Sequence, residues 1–294
     1  MMQAMILAAG LGTRLRPYTE LRPKPLFPVA GRSLLAITLE RLRQAGFGSV
    51  VVNAHHLRGQ VAQALHGERG AILQEEEVIL GTGGGLRRAR EYFGQEPVLV
   101  TNGDIYHTID LAEVYRTHQA SGAAVTMVLH DEPRFNKVAV AADGSILGFG
   151  PEVEAPARRL AFTGIHVLAP SVLDEIPDDS FFDIIDCYRG VIRAGGAIRA
   201  LVVDGHYWTD MGTPADYLAL HGALLTGRVA GVTVPSAPFQ VEAGAAVGDD
   251  LRLLDWAVVG SGARIGDHVT LERVVVWDGA TVPSGSHLRD TIVT

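Results

Sequence analysis

Short runs of apolar residues alternate with longer segments of helical periodicity over the first 225 residues. The short runs include residues 5–8, 49–53 and 98–101, and the amphipathic segments include residues 34–44 and 57–65. This alternation of strand and helix patterns predicts an α/β fold with a mostly parallel sheet that is covered by helices on both faces. Functional side chains in such sheets follow the carboxyl ends of strands, so we expect the site there.

The pattern changes after Leu225. From Val232 onward, glycines and other small residues separate short aliphatic segments, as in residues 244–248, 262–266 and 279–282, without an amphipathic helix. This approximate six-residue rhythm is typical of parallel β-helix coils, in which small residues form the corners and aliphatic residues fill the interior. We therefore predict a main domain of residues 1–228 and a tail of residues 229–294, with a looser β-appendage as the alternative for the tail.

Composition favours a globular protein, because 47% of the 294 residues are hydrophobic. The apolar runs are far shorter than the roughly 20 residues that a membrane-spanning helix needs. The chain starts without the basic and apolar regions of a secretory signal, so we expect a cytoplasmic location and no membrane partner. Its single cysteine, Cys187, lies in an apolar stretch and is expected to be a buried core residue.

The formal net charge of −8 argues against nucleic acid as a partner. Arg87, Arg88 and Arg90 form a basic cluster in a segment of helical pattern. We interpret this cluster as a solvated helix face rather than a polymer-binding stripe.

A glycine-rich segment with basic residues directly follows the first predicted strand. Gly10 and Gly12 allow backbone N–H groups to approach a polyphosphate, and Arg14 and Lys24 supply positive charge. A dinucleotide-binding fingerprint would need a small residue in place of Leu15, and the Gly-Lys-Ser/Thr of a P-loop is absent. The pattern therefore favours a triphosphate-binding loop, and a plain strand-to-helix turn is the alternative.

Residues 7–25 resemble the signature of the sugar-nucleotide pyrophosphorylases, the nucleotidyltransferases that activate hexose 1-phosphates. The resemblance implies that Arg14 steadies the triphosphate and that Lys24 stabilises charge during attack. It also implies a set of nucleotide-binding residues along the chain. These are Leu7, Ala8, Ala9, Gly10, Gly12, Thr13, Arg14, Gly81, Thr82, Gly83, Asn102 and Gly103.

Two aspartates are candidate metal ligands. Asp104 follows the apolar strand pattern of residues 98–101, and Asp210 precedes a helix that we expect to start near Pro214. Carboxylate oxygens suit Mg²⁺, which takes one or two carboxylates together with phosphate oxygens. The family resemblance, and not the spacing, implies that Asp104 and Asp210 hold magnesium together. Taken singly, each aspartate is equally well explained as a helix cap or turn residue.

Residues 80–85 form a second glycine-rich segment, which is predicted to be a loop before a helix over residues 86–92. Its resemblance to the family's nucleotide-binding loop implies main-chain contacts to the base, and an ordinary glycine-rich connection is the alternative. Ile79 stands where some uridylyltransferases carry glutamine, and the acids Glu75, Glu76 and Glu77 lie upstream. The nucleotide therefore stays open between UTP and GTP.

The sugar side is less defined. Thr163 and Gly164 resemble a Thr-Gly segment whose backbone touches the sugar in relatives, and Lys137 is a candidate for the sugar phosphate or an ordinary exposed lysine. Residues 150–153 lack the Glu-Lys-Pro element of many relatives. The adjacent His55 and His56 point to opposite faces of an extended segment, which argues against joint metal binding.

The resemblance covers nearly the whole chain and implies a Rossmann-like, mostly parallel (mixed) sheet domain followed by a short left-handed parallel β-helix. It implies a reaction in which a nucleoside triphosphate and a sugar 1-phosphate, with Mg²⁺ as cofactor, give an NDP-sugar and pyrophosphate. The alternatives are a non-catalytic subunit that binds sugar nucleotides and an acyltransferase. Trp256 and Trp277 in the tail suggest a surface for homo-oligomer formation.

Overall fold

The computed structural model describes residues 1–151, 153, 158–234 and 237–294. Glu152, within the segment that departs from the family pattern, lies outside the described residues. By spatial proximity the chain divides into two compact units. The first unit contains Met1–Leu11, Thr38–Gly103 and Thr108–Trp208, and the second contains Gly12–Ile37, Asp104–His107 and Thr209–Thr294. A domain boundary near residue 228 stays a prediction, because proximity groups the tail with earlier segments of the chain.

The strands and α-helices are numbered along the chain. The strands are β1 Met2–Leu7, β2 Pro28–Val29, β3 Arg32–Ser33, β4 Phe47–Ala54, β5 Ala71–Glu75, β6 Val98–Asn102, β7 Ile105–His107, β8 Val125–His130, β9 Asn136–Val140, β10 Ile146–Phe149, β11 Arg158–Leu168, β12 Ile198–Val202, β13 Trp208–Asp210, β14 Phe239–Val241, β15 Ala246–Val247, β16 Arg252–Val259, β17 Arg264–Ile265, β18 Thr270–Val276, β19 Thr281–Val282 and β20 His287–Val293. The α-helices are α1 Tyr18–Leu21, α2 Leu34–Gln44, α3 Arg58–Leu65, α4 Gly81–Ala89, α5 Leu111–Ser121, α6 Ile184–Arg193 and α7 Pro214–Leu225. The 3₁₀ turns are Thr13–Leu15, Lys24–Leu26, Arg90–Tyr92 and Pro170–Glu175.

A mixed sheet forms the centre of the first unit. Among the described residues its main path runs β10-β9-β11-β6-β1-β4-β5, and β8 pairs with both β11 and β12. The pairs between β5, β4, β1 and β6 are parallel, whereas β11 runs antiparallel to its neighbours β6, β8 and β9. Strands β1, β4 and β6 carry the apolar runs that predicted them, and Met5, Val51 and Val100 are fully buried. The predicted α/β fold with a mostly parallel, mixed sheet is confirmed.

Helix α4 differs from its prediction. The sequence predicts a glycine-rich loop before a helix at residue 86, but the helix already begins at Gly81. The N–H groups of Gly83 and Gly84 both donate to the Phe182 carbonyl, at 2.8 and 3.1 Å, which satisfies donors that a helix N-terminus leaves without intrahelical partners. An added Cβ at Gly84 would lie 2.3 Å from the Ser180 carbonyl, so close packing accounts for the glycine there. The glycines therefore belong to the first turns of the helix.

The structure also tests the predictions made for the single cysteine and for the basic cluster. Cys187 is 6% exposed and packs in the core, as predicted. Arg87 and Arg90 are not simply solvated, because both donate to Asp174, and Arg87 also pairs with Asp178. The basic cluster thus contacts acidic partners within the first unit.

The tail of the second unit is a short parallel β-helix, as predicted. Strands β14, β16, β18 and β20 form one parallel sheet, and β15, β17 and β19 form another. Arg252 pairs with Thr270, which in turn pairs with His287, so one coil takes 17 or 18 residues. Aliphatic side chains, including the fully buried Val259 and Val274, fill the interior.

Glycine and charged residues both occupy the corners of the coils. Gly244, Gly262 and Gly279 occupy one stack of corners with positive φ, as the glycine pattern predicted. A second stack holds Asp255, Arg273 and Asp290, also with positive φ. The Arg273 guanidinium donates to Asp290 at 2.6 and 2.8 Å and to Asp255 at 3.2 Å, which stabilises this stack with charged hydrogen bonds.

The tail tryptophans lie inside the second unit, contrary to the expectation of an association surface. Trp256 and Trp277 are 4% and 3% exposed. The Trp256 ring stacks on His221 of α7, and the indole N–H of Trp277 donates to the Tyr217 hydroxyl at 3.2 Å. Helix α7 packs against β18 and β20 of the tail, and its residues 220–225 are buried. Buried in this way, the two rings cannot form the proposed surface, and association through another face stays a prediction.

Within the described part of the chain, no helix is both long enough and apolar enough to cross a membrane.

Candidate functional site

The backbone of the second unit brings the two candidate metal ligands together. Asp104 directly precedes β7, and Asp210 ends β13, which pairs with β7. The Met211 N–H donates to the Asp104 carbonyl at 3.1 Å, so the two aspartates become neighbours although 106 positions separate them, from 104 to 210. The predicted helix start at Pro214 is confirmed, and its cap is the Thr213 hydroxyl, which accepts from the Asp216 N–H. Asp210 is therefore not the cap of α7.

A charged cluster joins all four residues for which a catalytic role was predicted. The Lys24 ammonium donates to Asp104 at 2.8 Å and to Asp210 at 3.3 Å. The Arg14 guanidinium lies 3.6 Å from the other oxygen of Asp210. The Lys24 side chain is only 7% exposed, whereas that of Arg14 is 61% exposed. The cluster thus combines a fixed, nearly buried ammonium with a guanidinium that solvent or an anion can reach.

Local geometry explains the glycine at position 12. Gly12 has a φ of +61° and precedes the 3₁₀ turn Thr13–Leu15. Its carbonyl accepts from the Thr19 hydroxyl at 3.1 Å. An added Cβ would lie 2.8 Å from the Thr19 methyl group, so a side chain here would be both strained and crowded.

Gly212 leaves room for the Arg14 guanidinium beside Asp210. A Cβ at Gly212 would lie 2.7 Å from Nη1 of Arg14 and 2.9 Å from Oδ2 of Asp210. The prediction from sequence did not assign this glycine a role, although it lies two residues after Asp210.

The donor set of the cluster fits a magnesium ion better than a protein-enclosed metal. The described residues contain no group of three or more histidines, cysteines, aspartates or glutamates that could hold a metal ion. Asp104 and Asp210, with oxygens on the same ammonium, offer two hard carboxylate ligands. One or two carboxylates, completed by water and phosphate oxygens, are the usual ligands of Mg²⁺.

In the first unit, the predicted nucleotide-binding residues at the ends of β1 and β6 lie side by side. The Gly103 N–H donates to the Leu7 carbonyl at 2.8 Å, which continues the parallel pairing of β1 and β6 by one residue. A Cβ at Gly103 would lie 2.8 Å from the same carbonyl and 3.3 Å from Cβ of Ala8. Only glycine allows the backbone after Asn102 to pass this close to the end of β1.

A buried network after Ala8 was missed by the prediction from sequence. Asn53, at the end of β4, accepts from the Ala8 N–H at 2.7 Å and donates to Glu76 at 2.8 Å. Glu76 is fully buried, and its other oxygen accepts from the Leu80 N–H at 3.3 Å. The network connects the end of β1 to the start of α4. The available signal was the position of Asn53 at the end of a predicted strand.

The other predicted contacts of the first unit already have partners in the protein. The Thr82 hydroxyl accepts from the Ile184 N–H at 2.9 Å, and the Gly83 N–H donates to Phe182. Gly81 has a φ of +74°, and a Cβ there would lie 2.6 Å from the Phe182 carbonyl. The primary role of residues 81–83 is therefore to allow α4 to pack against the segment around Phe182.

Thr163 and Gly164 form an irregularity in the long strand β11. The pairing of β11 with β8 shifts between Phe162 and His166, and Gly164 within the shift has a φ of +80°. Bulges of this kind are frequent beside active sites because they redirect the chain. The Thr163 hydroxyl donates to the Val128 carbonyl at 2.8 Å, and the Thr163 carbonyl accepts from the Trp208 indole at 2.8 Å.

Lys137 lies near the start of β9 and is exposed, so the structure does not place it in a defined contact with Thr163 or Gly164. His130, at the end of β8, packs edge-on against Trp208 at 4.8 Å. Burial and the neighbouring His206 lower the pKa of His130, which keeps this imidazole neutral at pH 7.

Comparison with known proteins gives the family. Residues 3–227 match the nucleotidyl transferase family. The chain belongs to the nucleotidyl transferase family. This nucleotidyltransferase is 32% identical over 298 aligned positions to a mannose-1-phosphate guanylyltransferase of Mycobacterium tuberculosis, with 96% of this chain and 81% of the relative covered. It is 34% identical to an N-acetylmuramate alpha-1-phosphate uridylyltransferase of Neisseria meningitidis, with 72% of this chain and 94% of the relative covered. The predicted family and enzyme class are thereby confirmed.

Solved structures support the fold of the nucleotidyltransferase. The crystal structure of HddC from Yersinia pseudotuberculosis aligns with a TM-score of 0.63 at 22% identity and covers 75% of this chain and 98% of that protein.

Proposed function

We propose that this nucleotidyltransferase forms an NDP-sugar and pyrophosphate from a nucleoside triphosphate, UTP or GTP, and a hexose-type sugar 1-phosphate. The observation that carries the proposal is the convergence of Arg14, Lys24, Asp104 and Asp210 in the second unit. The reaction class is supported by relatives named as a mannose-1-phosphate guanylyltransferase and an N-acetylmuramate alpha-1-phosphate uridylyltransferase. None of the relatives reported above is a regulatory subunit, which favours the enzyme over the non-catalytic alternative.

In the proposed step, an oxygen of the sugar phosphate attacks the α-phosphorus of the triphosphate. A new P–O bond forms, and the bond between the α-phosphorus and the bridging oxygen breaks, so pyrophosphate leaves with the electron pair. Lys24 offsets negative charge at the reacting phosphate, and Arg14 holds the triphosphate. Asp104 and Asp210 would hold Mg²⁺, which supplies charge neutralisation on phosphate oxygens when it is bound. The residues contribute by position and charge, without a covalent intermediate on the protein.

Within the first unit, main-chain groups are proposed as nucleotide contacts in their own right. Two neighbouring parallel strands end at Leu7 and Asn102, and nucleotides bind at such carboxyl ends in sheets of this kind. The proposed contacts are these two residues and those that follow them, Ala8, Ala9, Gly10 and Gly103. Gly81 and Thr82 are proposed as contacts to the base, and Gly164, with Thr163, as a backbone contact to the sugar. Lys137 is retained as a candidate for the sugar phosphate.

A substrate matrix tests the proposal. The purified chain is incubated with Mg²⁺, each of four nucleoside triphosphates and each of a panel of sugar 1-phosphates, and pyrophosphate is measured. We expect release that requires both substrates and is fastest with UTP or GTP. Pyrophosphate release without a sugar 1-phosphate, or none with any pair, would contradict the proposed reaction.

A further inference from the structure

Two residues of the tail contact the segment that carries Lys24. Trp277 and Asp278 directly follow β18, and Trp277 is 3% exposed. The Trp277 ring lies edge-on to Phe27, with ring centroids 4.8 Å apart, and 6.1 Å from the ring of Tyr18. The guanidinium carbon of Arg22 lies 4.8 Å from the centre of the Trp277 ring, within the range of a cation–π contact.

Asp278 forms hydrogen bonds with the same arginine, Arg22. Nη1 and Nη2 of Arg22 donate to the two carboxylate oxygens of Asp278 at 2.8 and 2.9 Å. This paired geometry fixes the orientation of both groups. The hydrogen bonds from Arg22 lower the pKa of Asp278, so this carboxylate stays ionised at neutral pH.

Along the chain, Lys24 lies between Arg22 and Phe27, two residues that contact the tail. It begins the 3₁₀ turn Lys24–Leu26, with Arg22 two residues before it and Phe27 directly after the turn. The Tyr217 hydroxyl accepts from the Trp277 indole and donates to the Pro28 carbonyl. The backbone is therefore attached to the tail on both sides of the turn.

We propose that Trp277 and Asp278 are positioning residues for Lys24, and that the tail thereby maintains the geometry of the charged cluster. The inference rests on the role of Lys24 given under the proposed function. A lysine side chain has several rotatable bonds, so a defined ammonium position requires a fixed backbone as well as the carboxylates at its tip. A displacement of about 1 Å at a reacting centre can cost about 100-fold in rate.

Asp278→Asn is the direct test, because the Asp278 side chain is half exposed and its replacement leaves the core intact. The matched control is Asp290→Asn, which removes a carboxylate that binds Arg273 in the same paired way but lies in the coil corners. In the full-length protein we expect Asp278→Asn to lower kcat about 10-fold with KM changed less than about twofold, because Lys24 acts mainly in the transition state. Asp290→Asn should leave kcat unchanged, and Asp278→Glu should restore part of the activity.

A double-mutant cycle separates positioning from general stability. Asp278→Asn acts through Lys24, so it should cause no further loss of kcat in a Lys24→Gln background. An equal loss of kcat in both backgrounds, or the same loss with Asp290→Asn, would overturn the inference. Wild-type turnover of Lys24→Gln alone would instead contradict the proposed function. Full activity of Asp278→Asn beside an inactive Lys24→Gln would contradict only the positioning role.

Discussion

The second unit contains two charged clusters of similar composition, one around Lys24 and one around Arg273. Arg273 bonds to carboxylates in neighbouring coils, 17 and 18 positions away, and to the adjacent Glu272. Lys24 bonds to carboxylates 80 and 186 positions away. The Arg273 cluster therefore arises from the repeat, since each coil places its corner on the corner before it. The Lys24 cluster requires three separate segments to meet, the one that carries Arg14 and Lys24, the one with Asp104 and the one with Asp210.

The two clusters also differ in whether a positively charged side chain remains accessible to a ligand. Arg273 has three carboxylates around one guanidinium, and the hydrogen bonds that it donates to these groups raise its pKa. Beside Lys24, the Arg14 guanidinium is 61% exposed and has one carboxylate at 3.6 Å. A cation that is exposed and only loosely paired can bind an added phosphate without first losing strong bonds. The comparison supports a structural role for Arg273 and agrees with the binding role that we propose for the Lys24 cluster.

The largest expected effect follows from removing one carboxylate beside Lys24. Asp104→Asn and Asp210→Asn should each lower turnover about 100- to 1,000-fold, because in the proposed mechanism charge stabilisation at the reacting phosphate depends on the ion that these carboxylates would hold. The measurement is pyrophosphate release over a Mg²⁺ titration, with circular dichroism as a check of the fold. Added Mg²⁺ should restore part of the activity, and wild-type rates at low Mg²⁺ would show that these carboxylates hold no essential ion.

A second effect concerns pH and the buried face of α7. Burial lowers the pKa of His221 from 6.5 to about 4, so the unfolded chain binds a proton between these values that the folded chain does not. Stability should therefore fall as pH drops from 6.5 to 4, by at most about 3 kcal/mol for this group. Asp290 is expected to contribute only at lower pH, because its hydrogen bonds from Arg273 lower its pKa.

Urea unfolding at a series of pH values tests this predicted pH dependence of stability. His221→Asn should flatten the dependence between pH 6.5 and 4 and leave the loss at lower pH. An unchanged slope in His221→Asn would assign the effect to other groups, such as the buried His166, whose pKa is lowered to about 3 by burial.

The smallest effect on activity is expected for the structural cluster. Arg273→Ala should lower the melting temperature, since Asp255 and Asp290 then lose their shared partner at the coil corners. Turnover measured well below the melting temperature should stay at the wild-type level. A loss of kcat comparable with that of Asp104→Asn would remove the distinction between the two clusters.

Much of the fold could be predicted because it depends on local patterns. The apolar periodicity gives α2 at Leu34–Gln44, and the spacing of Gly244, Gly262 and Gly279 gives the coil corners. The start of α4 could not be predicted, since it depends on the distant Phe182 carbonyl. The burial of Trp277 likewise depends on partners more than 200 positions earlier, such as Phe27.

The candidate site was predictable in its residue types but not in its assembly. Gly12, Arg14 and Lys24 follow one strand and indicate phosphate chemistry by themselves. The pairing of Asp104 with Asp210 depends on the backbone bond from Met211 to Asp104, which no spacing rule gives. The role of Glu76 could not be predicted from the sequence, because Glu76 lies between two other glutamates. Only its burial in the structure distinguishes it from Glu75 and Glu77.

Lys24 gives the most direct test of the proposed chemistry. Pyrophosphate release is measured for the wild type and Lys24→Gln under identical conditions, with the nucleoside triphosphate and sugar 1-phosphate that the substrate matrix selects. The proposed mechanism predicts a loss of kcat of about 100- to 1,000-fold in a variant that remains folded. Wild-type kcat in folded Lys24→Gln would contradict the claim that the Lys24 cluster carries the reaction.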